Sequence, residues 1–437
     1  MRILLLYDNF VRDYRGLLLL SGFLEQIGNK VWIKAGWDDP FPFCRLHKIE
    51  ALVTGQIAEF ATHKYGKYCA ENNILLIINT SEPVTAENNF AILTTYNTNE
   101  SNQDIIDLQS IGNYLHFNFI QSDNFIKEYN RAKYKFLGYP RTDISYHPTF
   151  RQIEEQSIIK KYNLNRFNKK YLFLSSFLLD GAFDGVPEQD LKKWDFSKFQ
   201  QRTVELLSHT TTILKKFVDE KLSVDDILII KKHPWDCSSY FKDNFSSDKC
   251  LILENNEFIT PCLSVADYII HTYSTSAFEA WVMEKPTVSV YLEKYVDILP
   301  LHMRKERIAY DYDSFVEILN NETAIPAYND DELFAGKMDG KATWRLATEI
   351  NRLKPKKKYP ISFSPGMFKL RLASLKKYKA LNSGKLLHDV DKMAEKNTKY
   401  HDFLVWENQR HTVNKLYKGE IKKFVRKFLK ESVNEAS

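Results

Sequence analysis

A run of aliphatic residues that stops on two lysines, a histidine and a proline, "ILIIKKHP" at 227–234, marks a place where a buried strand could deliver chemistry. Ile227 to Ile230 is short, β-branched and apolar, which is how a parallel strand buried on both faces reads. Strands of that kind carry their ligands at the carboxyl end. Pro234 has no N–H to give to a ladder and forces His233 into an extended conformation, so Lys232 and His233 are held at the lip of the sheet. A polar strand end closed by a proline is the plainer alternative. Two other strands in the same half end in similar company. "YLFLSS" leads to Ser175 and Ser176, with Asp180 and Asp184 just beyond, and "DYIIHT" leads to Ser274, Thr275 and Ser276 where a helix begins. Hydroxyls and N–H groups at a helix start can hold a phosphate, and taken alone they also read as an N-cap. In conjunction, the histidine and the hydroxyl cluster could grip one phosphate from two sides. Glu279, a few residues into that helix, would then reach the ribose of a nucleotide, or else it is a solvated helix carboxylate.

In the first half the informative strand end is "ILLIINTSEPVT". Glu82 follows a buried strand and precedes a proline, where a carboxylate could take a proton from an acceptor hydroxyl; a surface loop glutamate is the alternative. Arg15 and Gly16, after the first strand, are weaker candidates for bordering the same cleft. Other chemistries lack their signatures: no GxxxxGK[ST], no GxGxxG after a strand and no GxSxG is present. Asp225 and Asp226 precede their strand rather than following it, a poor position for a metal-binding pair, so chemistry without metal or cofactor is expected. The five cysteines are scattered with no CxxC spacing, as expected for reduced thiols.

These residues need a scaffold, and the hydrophobic period supplies one. "ILLLY", "KVWIKA", "IEALVTG" and "ILLIINT" read as strands, with helices over "YRGLLLLSGFLEQIG" and "IAEFATHKYGKYCAEN" and further strands at "HFNFIQS" and "YKFLG". A polar stretch at 151–170 reads as a linker or a bridging helix. The series then restarts with "YLFLSS", a long helix from "FQQRTV" to "FVDEK", "DDILII", "CLILENN", "DYIIHT", the helix "STSAFEAWVMEK" and "PTVSVYL". The expected architecture is α/β: two Rossmann-like, doubly wound domains, 1–145 and 165–330, facing a cleft, followed by a basic helical extension at 354–437.

Charge separates that extension from the rest. Residues 354–437 carry 21 Lys and Arg against 8 Asp and Glu, a balance of +13, while the whole chain stands at +5, so the first 353 residues are acidic at −8. An acidic body without a basic stripe is not expected to bind nucleic acid. In "GEIKKFVRKFLKES" the residues Ile421, Phe424, Val425, Phe428 and Leu429 form an apolar stripe between Lys and Arg. Such a helix either lies on an anionic membrane or docks its stripe on the body, and the basic surroundings favour the membrane. With no secretory leader and no run long enough to span a bilayer, a cytoplasmic protein, peripheral on the inner face of the membrane, is expected.

The series "FLGYPRTD", "YLFLSSF", "IIKKHP" and "ADYIIHTYSTSAFEAWVMEKPTVS" resembles bacterial surface-carbohydrate biosynthesis proteins of GT-B fold. It is similar to Kdo transferases, to sialyltransferases with HP and Ser/Thr motifs and, more distantly, to CDP-glycerol glycerophosphotransferases, over roughly residues 1–300. The resemblance implies a glycosyltransferase with a CMP-activated acidic sugar, such as CMP-Kdo or CMP-sialic acid, and a glycan or lipid-linked glycan acceptor. His233 would bind the donor phosphate and assist departure of CMP, Ser274 to Ser276 would hold that phosphate, and Glu82 would be the acidic catalytic residue. The family's "NPR" stands here as "YPR", and "TSEP" lacks the acidic-acidic-glycine form of the sialyltransferase base. A retaining enzyme would need a nucleophile, which Asp180 or Asp184 could supply. A UDP- or GDP-sugar transferase, a CDP-alcohol phosphotransferase and a non-catalytic GT-B-like partner in an assembly complex are the alternatives.

Overall fold

Leu4, Leu5 and Leu6 are at most 3% exposed, so the first strand has no solvent face and needs cover on both sides. The computed structural model describes residues 1–7, 9–36, 40–55, 65, 68–69, 72–79, 108–111, 134–177, 196–234, 236, 238–254, 257–298, 306–321, 337–353 and 398–434. Its first sheet is built from β1 (Arg2–Tyr7), β2 (Lys30–Ala35), β3 (Ala51–Thr54), β4 (Leu75–Asn79), β5 (Leu108–Ile111) and β6 (Tyr134–Phe136), in the order β2-β1-β3-β4-β5-β6 with every pair parallel. The strand order reverses between β1 and β3. Helix α1 (Phe10–Gln26) follows β1; its start is fixed by Asn9, whose Oδ1 accepts from Arg12 N at 3.1 Å while its own N–H donates to Asp13 Oδ2 at 3.0 Å. The short α2 (Phe41–His47), which the hydrophobic period does not announce, puts Phe41 on Tyr68 in a stack at 3.9 Å. Strand β5 is also new: "LQSI" has apolar residues only at its ends. The strand expected at "HFNFIQS" lies outside the described residues, as does most of the helix expected at "IAEFATHKYGKYCAEN", of which Tyr65, Tyr68 and Cys69 are helical and buried.

The second unit runs from Ser145 to Tyr328 with Ala394–Asp402. The stretch expected to be a linker or bridging helix is α3 (Pro148–Tyr162), which packs on α5 (Ile259–Val265) within this unit, with α4 (Phe196–Glu220) between them in sequence. The sheet comprises β7 (Lys170–Leu174), β8 (Ile227–Lys231), β9 (Cys250–Ile252), β10 (Tyr268–His271), β11 (Thr287–Val290) and β12 (Ile308–Ala309), in the order β12-β11-β10-β7-β8-β9, again parallel throughout. Leu206, Leu207, Ile213, Leu214 and Phe217 make the apolar face of α4 and meet Leu228, Ile230 and Phe173 in the core. Helix α6 (Ala277–Val282) follows β10, and α7 (Tyr312–Asn320) starts at Asp311 through a capping box with Ser314.

The chain then returns to the first unit, which also includes Asn329–Met393 and Phe403–Ser437. Helix α8 (Ala342–Arg352) packs on α1, with Trp344 5.3 Å from Phe23. Arg345 donates to Leu137 O at 2.7 Å and pairs with Asp339 at 2.9 Å, beside Gly138, whose φ of +80° and lack of Cβ let Lys337 O approach. The last helix, α9 (Thr398–Asn434), buries Val413, Tyr417, Ile421, Val425 and Phe428. Phe428 lies 5.3 Å from Phe23, and a Cβ on Gly22 would stand only 2.5 Å from Ile421 Cγ2, so the absent side chain lets the two helices touch. The expectation that this stripe faces a membrane is corrected: it covers α1 and α8, where each buried aliphatic or aromatic side chain contributes about 1.5–3 kcal/mol. Among the described residues, no helix is long and apolar enough to cross a membrane.

Candidate functional site

The second sheet reverses its order between β7 and β10, and a crevice at the carboxyl end of such a pair is where open α/β sheets bind ligands. The three strand ends singled out in the sequence are adjacent there: β8 lies on one side of β7 and β10 on the other. Strand spacing of about 4.8 Å sets the ends of β8 and β10 roughly 10 Å apart, with the Ser175–Phe177 segment between them. Hydrogen bonds within and between the loops lock them. After β7, Ser175 N donates to Lys231 O at 3.0 Å, and Ser175 Oγ accepts from Phe177 N at 3.3 Å. Ser176 O accepts the phenolic hydroxyl of Tyr273 at 3.2 Å, tying the β7 and β10 loops together; burial pushes the Tyr273 phenol up to about 12.

After β8, the chain turns at once. Asp236 N donates to His233 O at 2.9 Å across Pro234, and Asp236 Oδ1 accepts from Ser238 N at 2.9 Å, which closes the loop under a half-buried His233. Lys232 is buried and its Nζ donates to Ser238 O at 2.9 Å, so this lysine props the loop. Lys231 is more deeply placed, with Nζ on Lys232 O at 3.2 Å, and burial holds its pKa below the ordinary lysine value. After β10, Ser276 N donates to Ser274 Oγ at 3.2 Å, Ala277 N to Ser274 O at 3.2 Å and Phe278 N to Thr275 O at 3.2 Å. The helix-start N–H groups expected to meet an anion are therefore engaged within the turn, and α6 has only six residues. What Ser274, Thr275 and Ser276 offer a ligand is their half-buried hydroxyl edge. Glu279 is 2% exposed, which removes the alternative of a solvated carboxylate.

Beneath this loop lies a cluster that the sequence reading missed. His271, the last residue of β10, is fully buried, with Nε2 3.0 Å from Glu306 and 3.3 Å from Ser289 Oγ. Ser289 Oγ also donates to Glu306 Oε2, and Thr287 Oγ1, which accepts from Trp281 Nε1 at 3.2 Å, reaches the same carboxylate at 3.4 Å. Serine and carboxylate meet the same ring nitrogen, so this is no proton relay of the hydrolase kind, which uses both nitrogens. The cluster instead braces the strand end that launches Thr272 to Ser276. Its members are far apart in sequence, and only the pairing of His271 with Ser289 across β10 and β11 brings them together.

Glu82, Asp180 and Asp184 lie outside the described residues. Asp225 and Asp226 stay at the amino end of β8, where Asp226 Oδ1 accepts from Lys169 N at 3.0 Å and Asp225 O from Asn168 N at 2.6 Å, a purely structural use. In the first unit, Arg15 is 4% exposed on α1, whereas Gly16 borders a concavity at the carboxyl end of β1 and β3.

No family model matches the chain, and no curated protein matches it. Solved structures do share its fold. The wall teichoic acid polymerase TagF overlays with a TM-score of 0.52 at 12% identity, covering 80% of this chain and 88% of that one. Its H444N variant gives 0.51 over the same coverage. MnaA of S. aureus, in a structure with UDP, gives 0.50 at 10% identity, covering 82% of this chain and the whole of the other. The two parallel-sheet α/β units with a helical C-terminal segment are a GT-B fold.

Proposed function

We propose that this chain is a GT-B transferase of surface-polymer assembly that holds a nucleotide-activated donor at the carboxyl edge of the β10-β7-β8 strands. The observation that carries the reading is the convergence of three preorganised loops at the point where the strand order reverses, presenting His233 and the hydroxyls of Ser274, Thr275 and Ser276. A span of roughly 10 Å between the β8 and β10 loops suits a nucleotide's phosphate and ribose together. His233 donates to the leaving phosphate, Lys232 and Ser175 shape the loops around it, and Ser176 and Glu279 lie nearer the sugar. Glu82 serves as general base on the acceptor hydroxyl, and Asp180 or Asp184 as nucleophile if the reaction retains configuration. The donor is a CMP-activated acidic sugar such as CMP-Kdo or CMP-sialic acid. A second reading, a CDP-alcohol phosphotransferase, is favoured by the overlay with the teichoic acid polymerase.

A thermal-shift panel of CMP, CDP, UDP and GDP tests the donor assignment. A nucleotide at 100 times its Kd stabilises the native state by about 2.7 kcal/mol, so one base should raise Tm by several degrees while the others do little. CMP is the leaving group in both readings, so a shift with CMP supports a cytidine donor, and CDP above CMP, which needs room for a second phosphate, favours the phosphotransferase. No shift with any nucleotide overturns both and leaves an inert GT-B partner.

The acceptor is a glycan or lipid-linked glycan, and the membrane is met by charge alone. On α9, Lys415, Lys418, Lys422, Lys423, Arg426, Lys427 and Lys430 are exposed, opposite the buried stripe, with Glu420 paired to Lys423 at 2.8 Å and Glu431 near Lys427 at 3.8 Å. Each such cation contributes about 1 kcal/mol at an anionic leaflet, and salt screens it. Reversing Lys422, Arg426 and Lys430 to glutamate should abolish sedimentation with anionic vesicles at low salt without loosening the helix, because all three side chains point to solvent. Equal sedimentation of both proteins would remove the membrane from this reading.

A further inference from the structure

The edge of the first sheet carries a row of aromatic rings. Strand β2 ends the strand order, and its alternate residues Lys30, Trp32 and Lys34 share one face. Against that face stands α2, which adds Phe43 and His47: the Trp32 and Phe43 rings are 5.9 Å apart, Trp32 and His47 5.1 Å, and Phe43 and His47 4.1 Å. Trp32 and Phe43 rest on the buried cluster that includes Leu4, Cys44 and Leu52, so the row is fixed from below while all three rings stay half-buried at the surface. Lysines frame it at both ends, with Lys30 Nζ 5.1 Å from the Trp32 centroid and Lys34 Nζ 4.9 Å from that of Phe43. Burial, and then the Lys30 and Lys34 charges, hold the His47 imidazole below its ordinary pKa, so at neutral pH it extends the row as an uncharged ring. Lysines on an edge strand also keep sheets from pairing edge to edge. That duty accounts for the charges but not for three rings gathered between them.

We infer that this face binds an anionic glycan chain, with sugar rings stacked on Trp32 and its neighbours and the acid groups met by Lys30 and Lys34. Charge complementarity selects the occupant: residues 30–48 hold four Lys and Arg against two Asp, a basic stretch in a body that is otherwise acidic. Length selects a chain over a single sugar, because four residues of strand set the two lysine positions roughly 13 Å apart. A lysine over a surface ring is held only weakly, so both ammoniums can turn to a ligand. A bilayer fits less well. The large apolar side chains that stand exposed among the described residues are Val204, Val224, Val296 and Leu416, none of them on β2 or α2 to enter the acyl layer. The inference rests on the transferase reading and deepens it: the acceptor is an acidic polymer, gripped several units behind its reacting end.

Calorimetric titration of the full chain with oligogalacturonate, neutral maltohexaose and inorganic polyphosphate decides it, beside Trp32→Leu and the double variant Lys30→Gln/Lys34→Gln. Oligogalacturonate should bind about tenfold more tightly than maltohexaose, which lacks the charge, and than polyphosphate, which lacks the rings. Trp32→Leu should lose about tenfold while keeping an apolar cover on the cluster beneath it. The lysine variant should lose several-fold, together with most of the salt dependence, and melt with the wild type because both side chains reach the surface. No binding of oligogalacturonate, or equal binding of polyphosphate, overturns the ligand class, and affinity unchanged in both variants overturns the location. Sedimentation with anionic vesicles that Trp32→Leu abolishes would make this a membrane face and overturn the glycan. The nucleotide panel reads the other unit, so a flat panel with a Trp32-dependent titration sinks the donor assignment and leaves this site standing.

Discussion

An alanine at position 233 lowers turnover by about 10²-fold or more and weakens binding of the preferred nucleotide, while the protein melts at the wild-type temperature. The rate loss follows from removing a donor aimed at charge that develops on the leaving phosphate, a type of contact whose removal costs about 10²–10³ in rate. The unchanged melting follows from position. His233 is half-buried two residues past the end of β8, and the turn beneath it is held by the backbone bond from Asp236 N and by Asp236 Oδ1, which do not need the imidazole. A variant with wild-type turnover would take His233 out of the donor site. If affinity fell while turnover of bound donor stayed constant, His233 would be a ground-state contact only.

The second large effect is on stability. His271→Ala removes one of the partners of the buried Glu306 carboxylate and leaves Ser289 and Thr287 to hold it, and losing a hydrogen bond to a buried polar group costs about 1–3 kcal/mol. For a unit of this size the transition should fall by roughly 2–12 °C. Glu306→Gln keeps the shape and removes the charge, so calorimetry on the two variants separates electrostatics from packing. Both melting with the wild type would mean that the cluster does not brace β10. Because Ser274 to Ser276 follow directly, nucleotide affinity should drop in step with stability in His271→Ala, whereas His233→Ala should show the first without the second.

Much of the scaffold was legible because the buried strands are short apolar runs. "ILLLY", "LLIIN", "YLFL" and "ILII" cannot be solvated on either face, and their alternation with helical period already implied two parallel sheets. What escaped was short or weakly apolar. The strand "LQSI" carries two polar residues of four and is recognised only by its partners β4 and β6. The docking of α9 was ambiguous for a different reason: a stripe on a basic helix fits a bilayer and a protein face equally, and the deciding feature, the missing side chain of Gly22, sits about 400 residues away on α1. At the candidate site the polar residue types at three strand ends were readable, but their adjacency depends on β7 lying between β8 and β10. The engagement of the Ser276, Ala277 and Phe278 N–H groups within their own turn could not be read from the letters "STSAF".

The first unit is discontinuous, and that fixes an order of events on the ribosome. The body of the second unit, Ser145–Tyr328, is a single stretch and can close its sheet as soon as it emerges. The first unit is synthesised earlier but finishes later: Phe23 on α1 stays uncovered until Trp344 and Phe428 have been made. At about 5–20 residues per second, the wait from Ile144 to the end of α9 is roughly 15–60 s, during which an aromatic and leucine-rich helix face is bare. The usual N-terminal-first sequence is inverted here, and the nascent chain before residue 329 is the form most in need of a chaperone.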